Sequence, residues 1–105
     1  MEKIKIVAID FCLRFVDRLR AQGNAQSLSG NILYSFPEII IDTEQDDQQK
    51  YHTLWHEIFH GIADQIGIDL EENEINQLVT GYVQVLRDNK DLLEKYYPKV
   101  WRAEE

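Results

Sequence analysis

Tyr51-His52-Thr53-Leu54-Trp55-His56-Glu57-Ile58-Phe59-His60 is the stretch on which the reading of this sequence turns. Its last five residues have the form HExxH. Residues four apart share one face of a helix, so His56 and His60 would present two imidazoles to a single metal ion. Glu57 falls beside that pair rather than in it. Such a placement suits a general base acting on metal-bound water, because zinc lowers the pKa of its water toward neutrality and a neighbouring carboxylate can take the proton. The pattern points to a metallohydrolase, most often a peptidase.

The flanking residues predict the helix that this chemistry needs. Tyr51, Leu54, Trp55, Ile58, Phe59, Ile62 and Ile66 recur at three- and four-residue spacing and form one apolar stripe. His52, His56 and His60 run along its flank, with Glu57 and Asp64 nearby. Core packing would account for one histidine, but not for a row beside a carboxylate. The helix is expected from about 44 to 66, opened by Thr43 and Asp46 in an approximate capping box and stopped at Gly67.

Downstream, Ile75, Leu78, Val79, Tyr82, Val83 and Leu86 predict a second helix, from near Leu70 to about 88–90. The short connection makes the two helices an antiparallel pair. Glu71, Glu72 and Glu74 lie in its first turns, where acidic groups suit the positive end of the helix dipole. That role suffices for two of them. A hydrolytic zinc site usually has three protein ligands and a water, so the third ligand is expected here. His52 lies about 12 Å from His60 along the helix axis at 1.5 Å per residue, too far to serve. Spacing alone leaves Glu71, Glu72 and Glu74 open.

Upstream, residues 4–16 alternate apolar and polar and read as one strand, or as two broken near Asp10, with helix the competing reading because 17–20 continues without a breaker. Residues 21–30 are small, polar and glycine-punctuated, a loop composition. Two short strands follow at 31–34 and 38–42, with Pro37 in their connection because it cannot donate a ladder hydrogen bond. The strand just ahead of the HExxH helix is expected as a sheet edge above the metal, to which an extended peptide could add as another strand. Residues 91–105 include Leu92, Leu93, Tyr96, Tyr97, Pro98, Val100 and Trp101. That segment is too apolar for a free terminus and is expected to pack back on the domain.

A length of 105 residues gives one domain, 1–105, with a single modest core. The net charge of −8, from 19 acidic and 11 basic residues, argues against a nucleic acid or an anionic membrane as partner. It favours a polypeptide substrate or protein partner. Cys12 is the sole cysteine, so no disulfide forms within the chain. The apolar run at 6–9 is too short for a signal-peptide core or a membrane span, and the expected location is the cytoplasm.

Taken with the HExxH motif, Glu72-Asn73-Glu74-Ile75-Asn76-Gln77-Leu78-Val79 resembles the gluzincin metallopeptidases, and among them the minigluzincin and ImmA/IrrE-like group. In these a glutamate-bearing helix, with a pattern close to Glu-x-x-Ala/Ser-Asn/Asp-x-x-Ala, follows the HExxH helix. The likeness covers roughly 50–90 and is closest to compact members found in phage and prophage genomes. It implies Zn2+ held by His56, His60 and Glu72, with Asn76 orienting a ligand histidine. Ile75 and Val79 depart from the pattern, standing where small residues are usual.

The expected fold is α+β: a three- or four-stranded antiparallel sheet packed on two long antiparallel helices that hold the zinc. The expected activity is peptide-bond hydrolysis with Glu57 as general base. Tyr34, His52 and Tyr82 are candidates for stabilising an oxyanion. The competing reading is a binding or regulatory protein that keeps the metal for stability and does not turn over. A third joins them, a latent peptidase whose own tail, through Tyr96, Tyr97, Pro98 and Trp101, fills the cleft.

Overall fold

The structure is a computed structural model and describes residues 2–17 and 30–101, with the backbone alone for 97–101. It is an α+β fold, with four strands and three helices among the described residues. The strands are β1 (Lys3–Ile6), β2 (Ile9–Val16), β3 (Gly30–Leu33) and β4 (Glu38–Asp42). The helices are α1 (Asp47–Ile66), α2 (Glu72–Asp88) and α3 (Lys90–Trp101).

The amino-terminal stretch is two strands, and the break falls at Val7-Ala8 rather than near Asp10. Ile6 pairs with Ile9 across this turn, while Asp10 lies within the ladder opposite Lys5. Val7 takes a positive φ of 53°, which costs a β-branched residue about 1–2 kcal/mol. Gln65 of α1 pins the turn by accepting from Ala8 N at 3.1 Å and donating to Ile6 O at 2.7 Å.

Strand order in the sheet is β1-β2-β4-β3. The sheet is mixed, which corrects the antiparallel expectation: β1–β2 and β3–β4 are antiparallel, but β2 and β4 run parallel. A parallel pair needs a connection of a dozen or more residues, and the interval 17–29 gives the chain that length before the β3–β4 hairpin brings it back beside β2. The predicted 21–30 loop lies outside the described residues except for Gly30, which opens β3. A second correction concerns the strand just ahead of the HExxH helix. That strand, β4, is interior, and among the described residues the edges are β1 and, beside β4, β3. An interior strand buried on both faces reads as a continuous apolar run, as Ile39-Ile40-Ile41 does, all three being buried.

Phe11, Ile39 and Ile41 are fully buried and, with Ile6 and Ile58, form the core between the sheet and α1. The cap of α1 is Asp46, whose carboxylate accepts from Gln49 N at 2.7 Å. Thr43 does not cap the helix; its hydroxyl bonds to Asp17 and reaches Val16 O, tying the ends of β4 and β2. Helix α1 therefore begins at Asp47, later than expected. Gly67 ends it in the left-handed conformation, φ 81°, with its N–H on Ala63 O.

Helix α2 packs against α1 through Ile75 and Val79, neither of which is exposed at all. These are the two positions where the sequence departs from the small residues of the gluzincin pattern. The expectation that the tail packs back on the domain falls largely outside the described residues, which exclude 102–105 and the side chains of Tyr97, Pro98, Val100 and Trp101. Residues 90–101 form α3, which packs chiefly on α2 and whose Leu93 and Glu94 share a groove with Tyr51 of α1, leaving Leu92, Leu93 and Tyr96 about half exposed. Helical hydrogen bonding continues through Asn89, from Asn89 N to Val85 O and Leu93 N to Asn89 O, and carries the chain onward instead of folding it back. No helix among the described residues is long and apolar enough to cross a membrane.

Candidate metal centre

The 3.6-residue period of α1 places His52, His56 and His60 on the flank that faces α2, and the first turn of α2 brings Glu72 over the last two. His60 Nε2 is 2.6 Å from Glu72 Oε1, and His56 Nε2 is 3.0 Å from Glu72 Oε2. The two Nε2 atoms stand 3.1 Å apart. His56, His60 and Glu72 thus form a group that could hold a metal ion.

The donor set fits a zinc-sized ion. Tetrahedral angles with Zn–N bonds of about 2.0–2.1 Å put two ligand nitrogens roughly 3.3 Å apart, close to the separation found. Both histidines present the same nitrogen, and their rings lie edge to face with centroids 4.8 Å apart. Without an ion these distances are those of hydrogen bonds from imidazole N–H groups; with both Nε2 atoms unprotonated, the same three groups would present their lone pairs to one cation. Their side chains are unequally covered: His56 and His60 are 13% and 21% exposed, while Glu72 is 70% exposed. The site is rooted in α1 and open to solvent on the α2 side.

Spacing left three glutamates open, and the geometry distinguishes them. Glu74 turns back on its own helix end, where Oε1 accepts from Glu71 N at 2.8 Å. Glu71 is the N-cap residue of α2. Only Glu72 of the three joins the histidines.

Glu57 lies on the floor of the adjoining cleft, 6% exposed. Its carboxyl is pushed up to about 7, first by burial and then by the charge of Glu72. A carboxylate poised near neutrality can both take and return a proton at physiological pH. The cleft, of about 540 Å3, is walled by α1 on one side and by Gly30, Asn31 and Ile32 of β3 on the other.

Asn76 lines the same cleft, but no hydrogen bond joins its amide to His56 or His60 among the described residues. Its backbone carbonyl accepts from Thr80 Oγ1 at 2.8 Å. Because that hydroxyl has spent its proton, Thr80 Oγ1 must accept from His52 Nε2, 3.3 Å away. His52 is therefore assigned the Nε2–H tautomer. Its pKa is lowered by burial and then by His56, so the neutral ring gives its one N–H to Thr80.

The other two oxyanion candidates are engaged elsewhere. Tyr34 donates to Asp64 Oδ2 at 2.6 Å. The ring of Tyr82 packs between Trp55 and Phe59, at centroid distances of 4.6 and 5.4 Å. Of the three, only His52 lines the cleft.

Gly30, Asn31, Thr53 and Thr80 also shape the site and were not singled out by sequence. Thr53 had a usable signal, since it precedes Glu57 by one helical turn and shares its face. Gly30 and Asn31 had none, because their role depends on which strand forms the edge. No protein-family model matches the chain, and neither does any curated protein or solved structure.

Proposed function

We propose that this protein is a zinc-dependent metallopeptidase of the gluzincin type, close to the minigluzincin and ImmA/IrrE-like group. The observation that carries the reading is the convergence of His56 Nε2, His60 Nε2 and a Glu72 carboxylate beside the buried acid Glu57. Zinc held by these three side chains would supply positive charge that polarises a scissile carbonyl and acidifies water.

The chain's own residues do the rest. Glu57, held near neutrality by its burial, accepts a proton from water in the cleft and returns it to the departing amine. The two histidines, rooted in the well-packed α1, fix the position of the charge relative to Glu57. Glu72 completes the set from α2 and makes the site depend on how the two helices pack. The edge of β3, unpaired among the described residues, borders the cleft and offers main-chain groups to an extended polypeptide. A net charge of −8 favours a neutral or basic segment of that polypeptide. Cys12 has no partner with which to form a disulfide within the chain, which suits the reducing cytoplasm.

The test begins with elemental analysis of untagged protein purified without chelator, comparing the wild type with Glu72→Ala and Glu74→Ala. The expected result is about one zinc per chain, lost with Glu72→Ala and kept with Glu74→Ala. A wild type that takes up no zinc when zinc is supplied would sink the reading. Peptidase assays of Glu57→Gln then separate an enzyme, which loses turnover, from a binding protein, which keeps its partner.

A further inference from the structure

The edge strand that borders the cleft is already occupied at one position by its own side chain. Ile32 N donates to Asn31 Oδ1 at 3.0 Å. Among the described residues strand β3 pairs with β4 on one side only. The Asn31 side chain can reach the Ile32 N–H only from the other side, because the β4 backbone fills the near one at the usual inter-strand spacing of about 4.8 Å. The Ile32 N–H therefore faces the open edge. In an antiparallel pair a residue's N–H and C=O point the same way and alternate residues share that direction, so Gly30 and Ile32 both turn main-chain groups outward along the cleft.

An exposed edge N–H is what an added strand binds first. Here the atom that satisfies it is a primary-amide carbonyl oxygen, chemically the same acceptor that a peptide would bring. We propose that Asn31 is a specificity-determining residue that stands in for a substrate carbonyl on Ile32 N–H. A ligand gains this strand only by displacing Asn31, and only one with an extended main chain has the carbonyl to replace it. Small metal-directed molecules gain nothing from the displacement. The cleft thereby discriminates in favour of polypeptide segments long enough to reach from the metal centre to Ile32. The inference rests on the metallopeptidase reading of the same cleft.

Two measurements on wild type and Asn31→Ala test it. The first needs no metal: amide hydrogen exchange of Ile32 followed by NMR. Ile32 is expected to be protected in the wild type and to exchange faster in Asn31→Ala, while the remaining sheet amides are unchanged. Equal exchange in both proteins overturns the proposal and leaves the metal reading intact.

The second measures binding of acetohydroxamic acid and of a tripeptidyl hydroxamate to the zinc-loaded proteins. Removing one competing hydrogen bond should tighten the tripeptidyl compound about three- to tenfold in Asn31→Ala and leave acetohydroxamic acid unchanged. No change for either compound, or the same change for both, overturns the proposal. Failure of both compounds to bind the wild type removes the metallopeptidase reading, and the proposal with it.

Discussion

A methyl group placed on Gly30 would stand 3.2 Å from Glu57 Oε2, 2.6 Å from Thr53 Cγ2 and 3.1 Å from Ile40 O. Strand β3 thus lies directly against the acid that the proposed chemistry uses, with no space between them for a side chain. Gly30→Ala must push Thr53, which is buried and donates to Gln45 Oε1 at 2.9 Å. The expected cost is about 1–3 kcal/mol of stability, as for overpacking elsewhere. Urea denaturation of the two proteins checks it. An unchanged midpoint would mean that β3 does not approach α1 this closely.

Glu57 makes the stability of the metal-free protein depend on pH in a defined direction. Its folded-state pKa, about 7, lies above the ordinary value of 4.5, with burial the larger cause and Glu72 the smaller. Between those two values the native state holds the proton more tightly than the unfolded chain, so stability falls as pH rises. The cost is absent below about pH 4.5 and complete above about pH 7. Glu57→Gln removes the ionisation. In the presence of chelator the variant should match the wild type in acid and exceed it by roughly 1–3 kcal/mol at pH 8. Thermal melts across pH 4–8 read the difference. Parallel curves would show that Glu57 ionises freely in the folded protein.

His52, Thr80 and Asn76 form a relay between the helices, and its loss should weaken metal binding without touching a ligand. His52 Nε2 donates to Thr80 Oγ1, which donates to Asn76 O one turn closer to Glu72. Thr80→Val keeps the shape and removes both bonds. Zinc affinity by competition with a chromophoric chelator should drop about three- to tenfold, the worth of one net hydrogen bond. Affinity equal to wild type would leave helix packing through Ile75 and Val79 as the sole support of Glu72.

How far the sequence discloses this arrangement depends on the range of the interactions involved. The HExxH helix, its stop at Gly67 and the second helix were legible because helical periodicity and caps are local. So was the pairing of His56 with His60, which needs only a turn of α1. The choice of Glu72 over Glu71 and Glu74 was not fixed by spacing; the resemblance indicated it, and the geometry brings Glu72 alone to the histidines. The parallel β2–β4 pairing was illegible, because strand order is decided by the long interval before Gly30 and not by alternation within any strand. The error over the edge followed from it, and with it went Gly30 and Asn31. Thr43 looked like a cap in sequence, yet its hydroxyl is drawn to Val16 and Asp17 across the sheet, which left Asp46 to start the helix.

Glu74 offers a control for the ligand assignment. Its carboxylate accepts from Glu71 N at the start of α2, so Glu74→Ala should cost about 0.5–2 kcal/mol through loss of a helix-end hydrogen bond. Glu72→Ala removes a carboxylate that is largely exposed and should leave the metal-free protein near wild-type stability. The two variants are expected to cross over: one loses stability and keeps zinc, the other keeps stability and loses zinc. Loss of zinc in Glu74→Ala at temperatures where it remains folded would transfer the ligand role.

The carboxy-terminal helix is where latency would have to reside, and of the four tail residues named for it only Tyr96 has a described side chain. Among the described residues none of α3 lines the cleft, and α3 packs chiefly on α2. Leu92, Leu93 and Tyr96 face solvent by 54%, 40% and 50%, so little apolar area is lost if they go. Ending the chain after Asn89 keeps Ile75 and Val79 against α1, and with them the seat of Glu72. The shortened protein should therefore stay folded by circular dichroism and bind zinc with unchanged affinity. Any peptidase activity should also be the same in the full and shortened chains. A gain of activity on truncation would show instead that residues beyond Tyr96 reach the cleft and hold the enzyme latent.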